Sequence, residues 1–351
     1  MKRIAVLGLG KIGQLASEML HASGFDVHGY DLKPPGASLP FPVDALDSAD
    51  AGDLGAALGK ADAVLSCLPY HANLAVAEAA HAAGIHYFDL TEDVPTTDAI
   101  AAQSQTASGL MAPQCGLAPG FVGIVAAEQI SQFDPCRSCR MRVGALPQSP
   151  TGLMGYAFNW SPQGVVNEYL NDCQVIEDGE SKMVSAMEWL ETLYIEGTKL
   201  EAFTTSGGLG TMCETYLGRV ANLDYKTLRY PGHVELMNFF FHELLMRERR
   251  EEAGEILVNA KPPTDADVVY VHVATEGEVA SRLTRKEFVR AYRPKEICGR
   301  HRTAIAWTTS ASVAAVIEMV RDGSLPGSGF LKQEDIPLQA FLNTQWGALF
   351  S

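Results

Sequence analysis

Gly8-Leu9-Gly10-Lys11-Ile12-Gly13 follows the apolar run of residues 4–9 and opens a helical pattern, and its spacing suits the binding of a pyrophosphate. The first glycine permits a tight turn, the second lets an anion approach the backbone, and the third lets helix and strand pack closely. Amides at the helix N-terminus then face the anion. Asp31 ends the next apolar run, where its carboxylate can accept hydrogen bonds from ribose hydroxyls and would repel a 2′-phosphate. Strand, glycine turn, helix and acid in this order predict a dinucleotide site with NAD preferred, built on Gly8, Gly10, Lys11, Ile12, Gly13 and Asp31. Lys33 keeps NADP possible.

A substrate that carries a carboxylate and an amine would require a cation for the first, an acceptor for the second and a group that moves a proton. Arg229 offers a guanidinium for the carboxylate, with a structural salt bridge as the alternative. Tyr230 and His233 lie beside it. His233 can carry a proton or cap a helix. Thr205 and Ser206 precede two glycines, and their hydroxyls and the open amides there can bind a carboxylate or simply form a turn. Tyr70 and His71 follow a strand end, where ligands gather in parallel sheets. Tyr70 is the candidate there for contact with nicotinamide or substrate. Asp89, Glu92 and Asp93 are the carboxylates placed to meet an ammonium group, Asp89 foremost, with helix capping as the alternative. Cys115 is either a neutral contact near nicotinamide or a small hydrophobe.

These residues need a parallel sheet with crossover helices to position them, and the first 120 residues read that way. Strands are expected at residues 4–9, 25–30, 63–68, 86–90 and 110–113, with helices after the glycine turn, at 73–83 and near 97–107. From about residue 137 apolar and polar residues alternate, and 268–274 with 279–292 suggest an antiparallel hairpin turning at Thr275-Glu276-Gly277-Glu278. The fold class is therefore α/β: an N-terminal Rossmann domain with an inserted α+β domain carrying a mixed or antiparallel sheet. The expected boundaries are 1–122, 123–302 and a C-terminal helical segment at 303–351.

A formal charge of −15 argues against nucleic acid, whose phosphates require a basic surface. No apolar run reaches the roughly 18 residues of a membrane span. The seven cysteines, an odd number, suggest reduced thiols and a cytoplasmic protein. Cys136 and Cys139 form a lone pair without the further ligands that zinc needs, so no metal is expected.

Six segments, in order, resemble the lysine 6-dehydrogenase and saccharopine dehydrogenase family: Cys67-Leu68-Pro69-Tyr70, His86-Tyr87-Phe88-Asp89-Leu90, Cys115-Gly116-Leu117-Ala118-Pro119-Gly120, Asn159-Trp160-Ser161-Pro162-Gln163-Gly164, Thr205-Ser206-Gly207-Gly208, and Lys226-Thr227-Leu228-Arg229-Tyr230-Pro231-Gly232-His233. The resemblance implies a homodimer that oxidises a nitrogen-bearing carbon of an amino acid, with hydride going to nicotinamide. It also implies that the C-terminal helix packs on the Rossmann domain. Cys67, Leu68, Pro69 and Cys115 join the expected cofactor contacts, and Tyr70, Asp89 and His233 are the expected catalytic residues. The expected substrate site is Arg229, Tyr230, Thr205 and Ser206. Oxidative deamination of L-lysine or a close diamino acid is the leading reading. The alternatives are a secondary amine or cyclic imine as substrate, or a non-catalytic NAD-binding sensor.

Overall fold

The computed structural model describes residues 1–36 and 38–351, which divide into two compact units. The first comprises residues 1–124, 297–300 and 306–351. Its sheet is built from β1 (Arg3–Leu7), β2 (Asp26–Asp31), β3 (Val43–Ala45), β4 (Ala63–Ser66), β5 (His86–Phe88), β6 (Leu110–Ala112) and a short last strand, Gly329–Phe330. All pairings are parallel, and the order is Gly329–Phe330, β6, β5, β4, β1, β2, β3. The central strands β1, β4 and β6 are short and mostly apolar because helices cover a parallel sheet. From β1 the chain winds outward to β2 and β3, then crosses back to β4. The β1–β4 boundary is thus the switch point outside whose carboxyl ends ligands bind in such sheets.

The connecting helices are α1 (Lys11–Ala22), α2 (Ala51–Leu58), α3 (Tyr70–Ala83) and α4 (Val94–Ser104). Helix α3 starts three residues earlier than its apolar pattern suggests, placing Tyr70 and His71 in its first turn. The Asp93 carboxylate caps α4, accepting from the Thr96 amide and hydroxyl. Phe121, Phe341 and Phe350 pack in one aromatic cluster, with Trp307 against Phe350. This cluster ties the C-terminal residues into the first unit's core. Helix α5 (Phe121–Ile130) closes this stretch of chain.

The second unit, residues 125–296 and 301–305, holds an eight-stranded mixed sheet. Its strands are β7 (Cys136–Pro147), β8 (Cys173–Glu177), β9 (Glu180–Val184), β10 (Glu191–Ile195), β11 (Thr198–Thr204), β12 (Val220–Arg229), β13 (Asp267–Val279) and β14 (Arg282–Tyr292). The main order is β10-β11-β12-β7-β13-β14, parallel only between β12 and β7, with β8 pairing to β12 and β9 to β8. The helices of this unit are α6 (Pro162–Leu170), α7 (Met212–Tyr216), α8 (His233–Asn238) and α9 (Arg250–Ala260). Val165, Val166 and Tyr169 of α6, Val234 and Met237 of α8, and Ala253 and Leu257 of α9 join Leu200, Ala202, Phe203, Leu228 and Tyr270 of the sheet in one core. Ser161 caps α6 through the Gly164 amide, with Pro162 as its first residue, the arrangement a capping side chain and N1 proline favour.

The hairpin turn differs from the sequence expectation. Residues 275–278 continue β13, paired with β14 as far as Val279↔Arg282. The chain reverses instead at Ala280 and Ser281, both at positive φ, +49° and +61°. A two-residue turn of this hand matches the strand twist, and the register overrides the polar, glycine-containing tetrapeptide. Gly277 serves packing: a side chain there would strike Phe133 and the Pro135 carbonyl.

Candidate active site

Within the first unit, the glycine turn leaves β1 at Gly8, whose φ is +86° and whose amide bonds the Tyr30 carbonyl at 2.8 Å. A side chain at Gly8 would lie 2.9 Å from the Cys67 carbonyl oxygen, and one at Gly13 would collide with the Gly8 carbonyl. Gly10 borders open space, and no side chain caps α1. The first-turn amides are thus left for an anion. Asp31 is anchored on both oxygens: Oδ2 accepts from the Leu9 amide at 2.7 Å and Oδ1 from the Lys33 amide at 2.8 Å. A carboxylate has about four acceptor positions, so it retains capacity for ribose hydroxyls. Lys11 and Gly10 are exposed, and Ile12 is half-buried. Beside this turn, after β4, Cys67 and Leu68 are half-buried and Pro69 is exposed. Burial pushes the Cys67 thiol up to about 12, with the nearby Asp89 adding to the shift, so it is no nucleophile at neutral pH. This cradle fits a dinucleotide.

Two expected site residues of this unit are buried ties. Asp89 has no exposed surface. Its carboxylate accepts from the Tyr87 hydroxyl at 2.6 Å, the Thr91 amide at 3.0 Å and the Gln114 amide at 2.9 Å. These bonds fix the segments that follow β5 and β6, and burial raises the Asp89 pKa to about 6; the expected catalytic carboxylate is thus held in the interior with both oxygens engaged. Cys115 is also fully buried, its thiol 3.2 Å from the Ala112 carbonyl and receiving the Gln333 amide at 3.4 Å. Its full burial suits the small-hydrophobe alternative. With Asp93 used as a cap, Glu92 is the remaining carboxyl of this loop. It is half-buried, and its pKa rises to about 7 through burial, with the neighbouring Asp93 and Asp89 charges adding to the effect.

In the second unit, β12 delivers Arg229 into the core at 2% exposure. Its Nε donates to the Tyr169 hydroxyl at 2.7 Å, and Nη1 donates to Thr227 Oγ1 at 2.6 Å and the Leu228 carbonyl at 2.8 Å. The guanidinium carbon lies 4.6 Å from the centre of the Tyr156 ring and 5.5 Å from that of Tyr169. Desolvated cation–π contacts of this kind contribute about 2 kcal/mol. Among the described residues, no carboxylate comes within ion-pair distance of Arg229, and the two Nη2 hydrogens have no acceptor. Because Nε and Nη1 are already engaged, a carboxylate ligand would bond Nη2 and not the two-nitrogen fork expected from the residue type.

His233 opens α8 and is 1% exposed. Its Nδ1 lies 3.0 Å from the Met154 carbonyl and its Nε2 3.0 Å from the Tyr169 hydroxyl. Burial, then the Arg229 charge, lowers its pKa to about 3, against the opposing effect of the Met154 bond. A ring neutral at physiological pH with both nitrogens engaged is not available to carry a substrate proton, which corrects the catalytic expectation for His233. Tyr230 is half-buried, and its hydroxyl is spent on the Pro147 carbonyl at 2.8 Å. Thr205 is 2% exposed and, among the described residues, its hydroxyl has no hydrogen-bond partner. The Ser206 hydroxyl lies 3.5 Å from the Asn167 carbonyl, and its amide bonds the Glu168 carbonyl. Sequence reading missed Tyr156, Tyr169 and Thr227. Tyr169 follows Val165 by one helical turn, so its phenol points into the core, where a hydroxyl must find a partner.

A family model described as the saccharopine dehydrogenase NADP binding domain matches residues 4–112, and one described as the saccharopine dehydrogenase C-terminal domain matches residues 116–346. The chain belongs to the saccharopine dehydrogenase family. It is an oxidoreductase acting on CH–NH groups, with a nicotinamide dinucleotide as cofactor. Apo saccharopine dehydrogenase (L-Glu forming) from Saccharomyces cerevisiae is similar in fold, with a TM-score of 0.74, 18% identity, and coverage of 98% of this chain and 97% of that one. An engineered D-amino acid dehydrogenase gives a TM-score of 0.51 at 12% identity, covering 99% and 98%.

Proposed function

We propose that the protein is an NAD-preferring amino-acid dehydrogenase acting on L-lysine or a close diamino acid. The observation that carries the amino-acid class is Arg229, a buried guanidinium with Nη2 unspent, which no carboxylate contacts directly and which the Glu168 charge reaches only through space. A buried charge without a direct counter-ion is costly, and a substrate carboxylate on Nη2 offsets part of that cost. The choice of lysine rests on the motif resemblance. In this reading the amine is deprotonated, hydride leaves the carbon bearing it, and water opens the resulting imine with release of ammonia. A dinucleotide held by Gly8, Gly10, Gly13 and Asp31, with contacts from Lys11, Ile12, Cys67, Leu68 and Pro69, supplies the hydride acceptor. The first unit by itself offers Glu92, whose pKa is raised to about 7, as a proton acceptor, and Tyr70 as a contact for nicotinamide or substrate. The unpartnered Thr205 hydroxyl is the second candidate for the carboxylate, with Ser206 beside it.

A panel of amino acids with NAD and NADP, followed by nicotinamide absorbance and ammonia release, tests the reading. L-lysine should reduce NAD with one ammonia released per hydride. The family's name and that of the yeast structure support a second reading, oxidation of a secondary amine such as saccharopine, in which no free ammonia forms. Arg229→Ala should lower kcat/KM by about 2–5 kcal/mol with NAD affinity unchanged. Normal turnover by a variant that merely melts earlier would remove Arg229 from the site.

The seven cysteines are all free thiols, which supports a cytoplasmic setting. Among the described residues no helix is long and apolar enough to cross a membrane.

A further inference from the structure

We propose that Tyr169 and His233 are positioning residues: they form a hydrogen-bond relay of fixed direction that holds the Arg229 guanidinium with Nη2 presented to a ligand carboxylate. The proposal rests on the carboxylate role of Arg229 given above and assigns its aim to two residues that need not touch substrate.

The direction follows from donor chemistry. The Met154 carbonyl can only accept, so at 3.0 Å the Nδ1 of His233 must carry the hydrogen. A neutral ring then has a bare Nε2, which at 3.0 Å accepts from the Tyr169 hydroxyl. With its hydrogen committed to His233, the Tyr169 oxygen faces Arg229 as an acceptor and takes the Nε hydrogen at 2.7 Å. Each bond dictates the next, and no member has a second arrangement that keeps all three. Protonating His233 would put a donor on each side of the Tyr169 oxygen and leave its own hydrogen without a partner.

Packing fixes the same geometry. His233 stacks on Phe203, with centroids 6.3 Å apart and planes 12° apart, and Tyr156 and Tyr169 meet the imidazole edge-on. Thr227 and the Leu228 carbonyl hold Nη1, so the guanidinium cannot rotate to exchange Nη2 for another nitrogen. Aromatic faces and neutral acceptors make the direct contacts to the cation, and the Glu168 charge acts on it only from beyond ion-pair distance.

The test compares L-lysine with 1,5-diaminopentane, which lacks the carboxylate, on the full-length protein with NAD. Tyr169→Phe should raise the Kd or KM for L-lysine about tenfold, the scale of one hydrogen bond to a charged group, while leaving Kd for NAD and for 1,5-diaminopentane unmoved. His233→Leu should reproduce that loss. His233→Gln, whose amide can accept from Tyr169 and donate to Met154, should recover much of it. Equal weakening of both ligands, or a lower Tm with unchanged L-lysine affinity, would show a merely structural role and overturn the proposal. So would a collapse of kcat at unchanged KM.

A ligand-free measurement separates the relay from the carboxylate reading. Nitrogen NMR of labelled histidine should show His233 neutral, protonated on Nδ1, from pH 5 to 9, with its Nε2 signal shifted by Tyr169→Phe. The opposite tautomer or a charged ring sinks the relay alone. Unchanged L-lysine affinity in Arg229→Lys sinks the carboxylate reading, and the relay's purpose with it, even if the tautomer is found.

Discussion

Because the Leu9 and Lys33 amides hold both oxygens of Asp31, the carboxylate meets an incoming ribose without reorienting. Asp31→Ser combined with Lys33→Arg should therefore narrow or reverse the preference for NAD, read as the ratio of kcat/KM for the two cofactors. Wild-type affinity for NADP equal to that for NAD would remove Asp31 from that role. Glu92 gives a pH signature. Its carboxyl holds a proton up to about 7 in the folded protein, against an ordinary value of 4.5. Folding takes up a proton between these values, so this group's contribution to stability falls as pH rises from 4.5 through 7 and is constant above. Glu92→Gln should flatten the decline in Tm between pH 5 and pH 8, and an unaltered decline would show that Glu92 is not its source. The strand, glycine turn and helix of the dinucleotide motif were legible because six consecutive positions and one strand end carry the whole signal. The Arg229 surroundings were not, since Tyr156, Tyr169 and Met154 meet it only through packing. Residue type also says nothing of burial, which encloses Asp89 and Cys115 completely.

At the scale of the element, the β13–β14 hairpin shows where local signals lose to register. Thr275-Glu276-Gly277-Glu278 has turn chemistry, yet eleven cross-strand pairs carry the strands past it to Ala280 and Ser281. Neither residue is suited to positive φ, and left-handed backbone costs such residues roughly 1–2 kcal/mol. Replacing Ala280-Ser281 by Asn-Gly should raise stability by about 1 kcal/mol without changing activity, measured by denaturant titration. A loss of stability would mean that the side chains present make contacts worth more than the strain. Five of the parallel strands, by contrast, were readable from their short apolar runs, whereas the two edge strands, Val43–Ala45 and Gly329–Phe330, are too short to carry such a run and were missed.

At the scale of the whole molecule, we expect a homodimer joined through the second unit. Its edge strand β14 carries Leu283 at 63% exposure and Val289 at 36%, and Trp189 and Leu190 of the same unit are also exposed. The β14 edge carries Arg282, Arg285, Lys286 and Arg290, charges that discourage edge-to-edge strand pairing, so association is expected through side-chain faces. Sedimentation at micromolar concentration should show a dimer that Leu283→Glu weakens, and a wild-type monomer would reject this assembly. Arg229 carries a last consequence. A core cation whose Nη2 is unspent gains a partner only when the site is filled, so the melting temperature doubles as a detector of what the site accepts. Any carboxylate that settles on Nη2 stabilises the fold by RT ln(1 + [L]/Kd), about 2.7 kcal/mol at a hundredfold excess over Kd. The true substrate can thus be recognised by heating the protein with candidate acids before any reaction has been found.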